Sequence, residues 1–229
     1  MTIAEKLDII KSKISDSAKR SGRCPEEVML LPVTKTKTVE EIMPALTCGI
    51  RAIGENYVQE LVEKYEVLSP YVDEFHMIGH LQSNKVKYLI DKVSLIHSVD
   101  SSSVLTQIQK QAQKIGKIQK ILFEVNLTKE DSKFGVYEEN LEELYLLAKD
   151  CPNVSVCGLM TMPPVYYEEP KLREVFSKLR RIFEDYKAKD SAFDTLSMGM
   201  SNDYEIAIEE GSNLVRIGSK IFGPRIYQS

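Results

Sequence analysis

The apolar residues of this chain form two kinds of pattern that alternate along its length. Short continuous apolar runs, typical of strands buried on both faces, alternate with stretches in which apolar residues recur every three or four positions, as on one face of a helix. The runs predict strands at 28–33, 50–53, 74–78, 95–98, 118–125, 154–159, 195–197 and 213–216. The periodic stretches predict helices at 38–47, 57–68, 83–90, around 104–112, and at 138–149, 169–187 and 203–210. A further amphipathic helix over 2–20 precedes the first strand.

The order of these elements indicates the fold class. Strict alternation of strands and helices predicts an α/β protein with a parallel sheet. Eight such units in 229 residues predict a single (β/α)₈ TIM barrel that spans residues 1–229 as one domain, with an extra N-terminal helix. An open doubly wound sheet is the alternative, and the short second and seventh strands have the weakest pattern.

Composition and charge exclude several classes of protein. The net charge of −4 and the pI of about 5.6 argue against a nucleic-acid-binding surface. No stretch reaches the roughly 18 apolar residues of a membrane helix, and the charged N-terminus does not resemble a secretory signal. The four cysteines form no CxxC pair and no zinc-ligand spacing. We therefore expect a cytoplasmic protein that binds no metal and no membrane, and we expect it to be a monomer.

A lysine lies at the carboxyl end of the first predicted strand. The run at 28–33 ends abruptly in the polar sequence TKTK of residues 34–37, and Thr38 follows as a candidate helix N-cap. Carboxyl ends of buried parallel strands are where α/β folds place their chemistry, and partial desolvation there makes a lysine amine nucleophilic toward carbonyl groups. Lys35 is therefore a candidate Schiff-base lysine, although this stretch alone is more typical of two solvated loop lysines, Lys35 and Lys37.

Other polar or small residues follow the remaining predicted strands, and a barrel would bring them to the same end. They are Asn56, His80, Asp100, Asn126, Met160, Ser201, Gly218 and Ser219, with Arg216 within the last strand. Ser201, Gly218 and Ser219 together resemble an anion cradle, because TIM barrels often bind phosphate after their last two strands. A lysine opposite such a cradle suits a phosphorylated aldehyde held as a Schiff base.

Each of these residues also has a purely structural interpretation. Gly218 fits a tight turn, and His76 and His80 are more typical of core or loop histidines than of a metal site. Arg216 is harder to explain structurally, because an arginine inside a buried strand needs a partner for its charge. An acidic side chain, a phosphate or a ring nitrogen could each be the partner of Arg216.

Seven stretches of the chain, read in order, resemble a known family. They are LLPVTKTK, GENYVQEL, FHMIGHLQSNK, IHSVD, GLMTM, LSMGMSNDYEIAI and VRIGSKIFGPR. The chain resembles the pyridoxal 5′-phosphate (PLP) homeostasis protein family over nearly its whole length. The resemblance implies a barrel like the N-terminal domain of alanine racemase, with PLP as its cofactor. It further implies a role in buffering PLP and delivering it to PLP-dependent apoenzymes, with little or no catalytic turnover.

The resemblance also implies roles for particular residues. Lys35 would form the internal aldimine, and Asn56 would lie beside the cofactor. Ser201, Gly218 and Ser219 would hold the phosphate, and Arg216 would face the pyridine nitrogen. The family usually has Ser where this chain has Thr34, and both side chains carry a hydroxyl. Lys37 and Lys133 also belong to matching motifs, without an implied role.

Two enzyme classes remain as alternatives to the PLP homeostasis protein. The first is a small fold-type III PLP enzyme such as an amino-acid racemase. The resembling family lacks the second domain with which alanine racemase completes its site, and we expect this chain to lack both that domain and its second base. The second alternative is a Schiff-base aldolase that acts on a phosphorylated sugar without PLP.

Overall fold

The fold is a nearly closed barrel of eight parallel strands, which confirms the predicted architecture. The computed structural model describes residues 1–128, 130, 134–164 and 167–224. The strands are β1 (Met29–Pro32), β2 (Ala52–Glu55), β3 (Glu74–Met77), β4 (Leu95–Val99), β5 (Gln119–Asn126), β6 (Val136–Tyr137), β7 (Val154–Met160), β8 (Thr195–Met200) and β9 (Leu214–Ile217). Their spatial order is β1-β9-β8-β7-β5-β4-β3-β2, and the two-residue β6 pairs with β5 outside this path.

The barrel closes between the first two strands, just beyond the end of β1. Val33 forms an isolated parallel bridge with Gly54, and the Thr34 amide donates to the Gly54 carbonyl oxygen at 3.0 Å. The chain therefore enters the turn that carries Lys35 directly from the point of closure. This connection ties the position of that turn to the barrel itself.

Eight α-helices in the described part of the chain cover the outside of the barrel. They are α1 (Ile3–Arg20), α2 (Val39–Thr47), α3 (Val58–Leu68), α4 (Ser102–Lys114), α5 (Glu138–Lys149), α6 (Glu169–Lys187), α7 (Tyr204–Glu209) and α8 (Ser219–Phe222). The predicted N-terminal helix is α1; it begins with a capping box between Thr2 and Glu5 and buries Leu7, Ile10 and Ile14. It packs against α2, α7 and α8. Within the ranges that the structure describes, no helix has the length and apolar character to cross a membrane.

Several predicted elements differ in detail. The predicted helix at 83–90 is a 3₁₀ helix, Ser83–Tyr88, because Val86 is its only buried residue and a single buried turn does not sustain an α-helix. The second strand begins two residues later than predicted, since the Ile50 amide still bonds to Ala45 of α2. The seventh predicted strand is longer and continues to Met200 with Gly199 at a φ of +94°. No hydrophobic pattern indicated β6.

Buried apolar side chains form two layers around the strands. The larger layer lies between the strands and the surrounding helices. The smaller layer fills the barrel interior and consists of Leu31, Val33, Ala52, Ile78, Leu95, Leu122, Cys157, Met160 and Leu214. Polar groups share that interior, notably His76, His97, Ser197 and Arg216, so the barrel core is not purely hydrophobic.

Candidate functional site

Lys35 lies in a tight turn at the carboxyl end of β1. The Lys37 amide donates to the Thr34 carbonyl oxygen at 3.1 Å and closes the turn. Thr36 has a φ of +61°, which is unfavourable for a β-branched residue. Its amide donates to Glu60 Oε2 at 2.8 Å, so a carboxylate from α3 holds the strained position. The turn therefore has a fixed shape, and Lys35 is only partly exposed.

A buried ionic network supports this turn from below. Lys64 of α3, which is only 7% exposed, donates from Nζ to the Thr34 carbonyl oxygen at 2.7 Å, to Glu55 Oε1 at 2.7 Å and to Glu60 Oε2 at 2.8 Å. The Thr34 hydroxyl donates to the same Glu55 oxygen at 2.5 Å. This contact gives the hydroxyl shared by Thr and Ser at position 34 a structural role.

The carboxylate of Glu55 is the most costly member of this network. It is fully buried, and among the described residues its Oε2 atom has no hydrogen-bond partner. Burial raises the pKa of Glu55, while Lys64 and the Thr34 hydroxyl act in the opposite direction. The ammonium group of Lys64 thus offsets much of the cost of placing this carboxylate under the turn.

All six predicted site residues line one cavity of about 400 Å³ at the carboxyl end of the barrel. They are Lys35, Asn56, Ser201, Arg216, Gly218 and Ser219. The volume lies within the range of about 300–1,000 Å³ that is usual for small-molecule sites. The cavity also includes Lys37, Met162, Tyr167 and Asp203, so basic, apolar and acidic groups surround it.

Ser201, Gly218 and Ser219 lie at the ends of β8 and β9, as predicted. Gly218 immediately precedes α8, and Ser219 is the first residue of that short helix. A Cβ atom at Gly218 would lie 3.2 Å from the Val33 carbonyl oxygen, so glycine allows β1 and the start of α8 to approach closely. Ser201, Gly218 and Ser219 thus line the same cavity as Lys35.

Asp203 is an acidic neighbour of this cradle that was not predicted. Its Oδ1 atom accepts a hydrogen bond from the Met200 amide at 2.5 Å, which fixes the turn between β8 and α7. Burial raises the pKa of Asp203, and the positive charges of Arg216 and Lys220 partly counteract this effect.

Arg216 is 3% exposed and projects from β9 into the barrel. Its Nη1 donates to the carbonyl oxygen of Ser197 at 2.9 Å and to the Ser197 hydroxyl oxygen at 2.5 Å, and its Nη2 donates to the Thr161 carbonyl oxygen at 3.0 Å. Neutral oxygens are therefore the direct hydrogen-bond partners of Arg216 within the described residues. These bonds use three of the five N–H donors of a guanidinium, and Arg216 also lines the cavity.

The charge of Arg216 is balanced at longer range. Burial lowers its pKa to about 10, while Glu124 and Asp203 raise it, so Arg216 stays charged at neutral pH. Burial also raises the pKa of Glu124 to about 7, with a further contribution from Asp100. Glu124 of β5 is 3% exposed, and its Oε2 atom has no hydrogen-bond partner within the described chain.

Several other strand-end residues lie outside this cavity. His76 is a core histidine, as predicted, and His80 lies at the surface, where its ring stacks on Phe134 at 3.6 Å. His80 and Phe134 line a separate groove of about 1290 Å³ that shares Asn56 and Met162 with the cavity. Lys133 lies outside the described residues. The described residues hold no cluster of three or more side chains suited to a metal ion.

Lys64, Glu55 and Glu124, three buried charged residues near the site, were not predicted. The sequence pattern could have indicated Lys64, because this lysine occupies an apolar position of α3, three residues after Leu61 and four before Leu68. A lysine at an apolar position of this kind requires an acidic partner. Glu124 had a comparable signal, since it interrupts the apolar run of β5.

Comparisons with known proteins agree with this fold. The sequence model of the alanine racemase N-terminal domain matches residues 7–225. The chain is 45% identical to the pyridoxal phosphate homeostasis protein of Aquifex aeolicus, over 99% of this chain and 100% of that protein. The structure of PipY from Synechococcus elongatus PCC7942 with PLP bound is 28% identical, with a TM-score of 0.86 over 97% of this chain and 100% of that one. An alanine racemase of Clostridium difficile has a TM-score of 0.73 at 13% identity, and the match covers all of this chain and 58% of the racemase.

Proposed function

We propose that this chain, which belongs to the pyridoxal phosphate homeostasis protein family, binds PLP as a reversible Schiff base at Lys35. In this proposal it buffers the reactive aldehyde and delivers it to PLP-dependent apoenzymes, without steady catalytic turnover. The observation that carries the proposal is the single cavity of about 400 Å³ in which the six predicted residues meet. PLP bound to the similar PipY protein supports the choice of cofactor.

The donor set of the cavity fits the chemical groups of PLP. The Lys35 amine would attack the aldehyde carbon, and the resulting C=N bond forms with loss of water, so hydrolysis releases the cofactor unchanged. The hydroxyls of Ser201 and Ser219 and the backbone N–H at Gly218 would donate hydrogen bonds to the phosphate oxygens, and Asn56 would lie beside the ring. Arg216 would direct its remaining N–H donors at the pyridine nitrogen. A guanidinium there keeps that nitrogen unprotonated, which weakens PLP as an electron sink.

The proposal of a carrier, as opposed to an enzyme, draws on the names of the relatives, which describe homeostasis. We propose that the protein works as a monomer in the cytoplasm, where its cysteines, unpaired in the structure, would stay reduced. A carrier needs a site that forms and hydrolyses one C=N bond, whereas a racemase also needs an acid/base on the opposite face.

An absorption spectrum of the purified protein with PLP, before and after borohydride, tests the site. We expect a visible band that reduction removes, and peptide mass mapping should find a pyridoxyl group on Lys35. Lys35→Ala should abolish the band, whereas Lys19→Ala, which removes an exposed lysine at the end of α1, should retain it. An unchanged band in Lys35→Ala would overturn the assignment of Lys35, and a wild-type protein that stays colourless would overturn PLP as the cofactor.

A second measurement separates a carrier from an enzyme. The loaded protein is incubated in deuterium oxide with a panel of amino acids, and exchange of the α-proton is followed by NMR. We expect no exchange above the rate of free PLP, together with activation of a PLP-dependent apoenzyme on mixing. Sustained exchange or racemisation of one amino acid would favour the racemase.

A further inference from the structure

A chain of hydrogen bonds crosses the barrel interior from Arg216 to the opposite end of the fold. Arg216 donates to Ser197 Oγ, which lies 3.0 Å from His97 Nδ1. His97 Nε2 lies 3.0 Å from His76 Nδ1, and His76 Nε2 lies 3.0 Å from Glu74 Oε2. These side chains come from β9, β8, β4 and β3, so the chain connects opposite walls of the barrel.

The groups at the two ends of this hydrogen-bond chain, Arg216 and Glu74, determine the direction of every hydrogen bond in it. Arg216 can only donate, so the Ser197 oxygen accepts from it and is free to donate its own proton to His97 Nδ1. A neutral His97 then carries its proton on Nε2 and donates to His76 Nδ1. His76 in turn donates from Nε2 to the Glu74 carboxylate, which can only accept.

Burial and charge favour this neutral arrangement. Ser197, His97 and His76 are almost completely buried, and only Glu74 reaches solvent, in a cavity of about 480 Å³ at the amino end of the barrel. Burial holds the pKa of His97 well below its usual range, and the neighbouring groups His76 and Arg216 act in the same direction. A proton on His97 Nδ1 would also oppose the Ser197 proton, so charging His97 would break the contact that orients the serine.

We propose that Ser197, His97 and His76 are positioning residues that hold the guanidinium of Arg216 in one orientation toward the cavity. The inference rests on the proposed function only for what Arg216 faces. These hydrogen bonds keep the lone pairs of Ser197 turned toward Arg216, because the serine hydroxyl donates its proton to His97. An apolar residue at 97 would fill the space but would leave the serine hydroxyl free to rotate.

The first experiment needs no cofactor. Long-range ¹H–¹⁵N NMR spectra of the unliganded protein at pH 7 report the tautomer of each of its three histidines, assigned with single His→Gln variants. We expect His97 and His76 to be neutral, with the proton on Nε2 in both. The Arg216 guanidinium, assigned with Arg216→Lys, should show separate Nη signals because its rotation is restricted. A charged His97, a proton on its Nδ1 or averaged Nη signals would overturn the proposal.

The second experiment compares three variants. His97→Leu removes the acceptor for the Ser197 proton, His97→Asn keeps an amide oxygen near the position of Nδ1, and Ser197→Ala removes the hydroxyl. We expect His97→Leu and Ser197→Ala to average the Nη signals of Arg216 and to weaken PLP binding by about tenfold, the scale of one hydrogen bond to a charged group. His97→Asn should retain both the separate Nη signals of Arg216 and the wild-type affinity for PLP.

A merely structural role predicts a different result. It would lower the melting temperature of all three variants while leaving the Nη signals and the PLP absorption band as in the wild type, and that outcome would overturn the proposal. Failure of the proposed function is distinguishable, because a wild-type protein that binds no PLP would still report the orientation of Arg216 through its Nη signals.

Discussion

The Lys64 network under the Lys35 turn makes a quantitative prediction about stability. Lys64→Met keeps most of the apolar stem and removes the ammonium group, which donates to Thr34, Glu55 and Glu60. Glu60 is partly exposed and can rehydrate, but Glu55 is fully buried. The variant thus leaves one buried carboxylate without its counter-charge. Breaking a buried pair in this way costs about 3–5 kcal/mol of unfolding free energy.

The loss of unfolding free energy in Lys64→Met should be larger at high pH than at low pH. Burial already raises the pKa of Glu55, and removal of Lys64 takes away the main opposing effect, so the pKa rises further in the variant. A carboxyl whose folded pKa is raised destabilises the fold above that pKa, and the penalty disappears as the pH falls and the group takes up a proton. Lys64→Met should therefore lose most at pH 8 and clearly less at pH 5.

Urea unfolding at both pH values measures this loss, with two matched controls. The double variant Lys64→Met/Glu55→Gln should recover part of the stability at pH 8, because no charge is left stranded. Lys171→Met, which breaks the exposed pair of Lys171 and Glu174, should have little effect on the free energy of unfolding. A loss in Lys64→Met no larger than in Lys171→Met, or equal at both pH values, would refute the electrostatic argument.

Two further substitutions test the surroundings of the cavity. Gly79→Ala would place a Cβ atom 2.3 Å from the Asn56 carbonyl oxygen, so the backbone must move. We expect a loss of about 1–3 kcal/mol in urea unfolding and weaker PLP binding; unchanged values for both would contradict the close approach. Glu124→Gln tests the buried carboxyl whose pKa is raised from 4.5 to about 7. That difference corresponds to about 3 kcal/mol of stability, which the wild type loses as the pH rises from 4.5 to 7. The variant should lack this loss, and an identical pH dependence of unfolding in both proteins would count against the role of burial.

The strands and most helices were predictable because their signals are local. A buried parallel strand is a continuous apolar run, and an amphipathic helix repeats its apolar residues every three or four positions, whatever the rest of the chain does. The helix predicted at 83–90 is a shorter 3₁₀ helix, Ser83–Tyr88, and the strand β6 was not predicted. Contacts with neighbouring elements, which have no local sequence period, decide both. The alternation of elements also predicted the end of the barrel at which Lys35, Ser201 and Gly218 would meet.

The sequence by itself therefore determined the order of elements, the parallel barrel and the residues at its carboxyl end. Only the tertiary structure decided what holds those residues. Lys64 lies 29 positions from Lys35 in the sequence, and Ser197 and His97 are 100 positions apart, yet each pair of elements meets when the barrel closes. Periodicity reports which face of an element is buried, but the partner of a buried charge or hydroxyl depends on strand order and register across the barrel. Those quantities are set by packing between distant segments, which a local pattern does not encode.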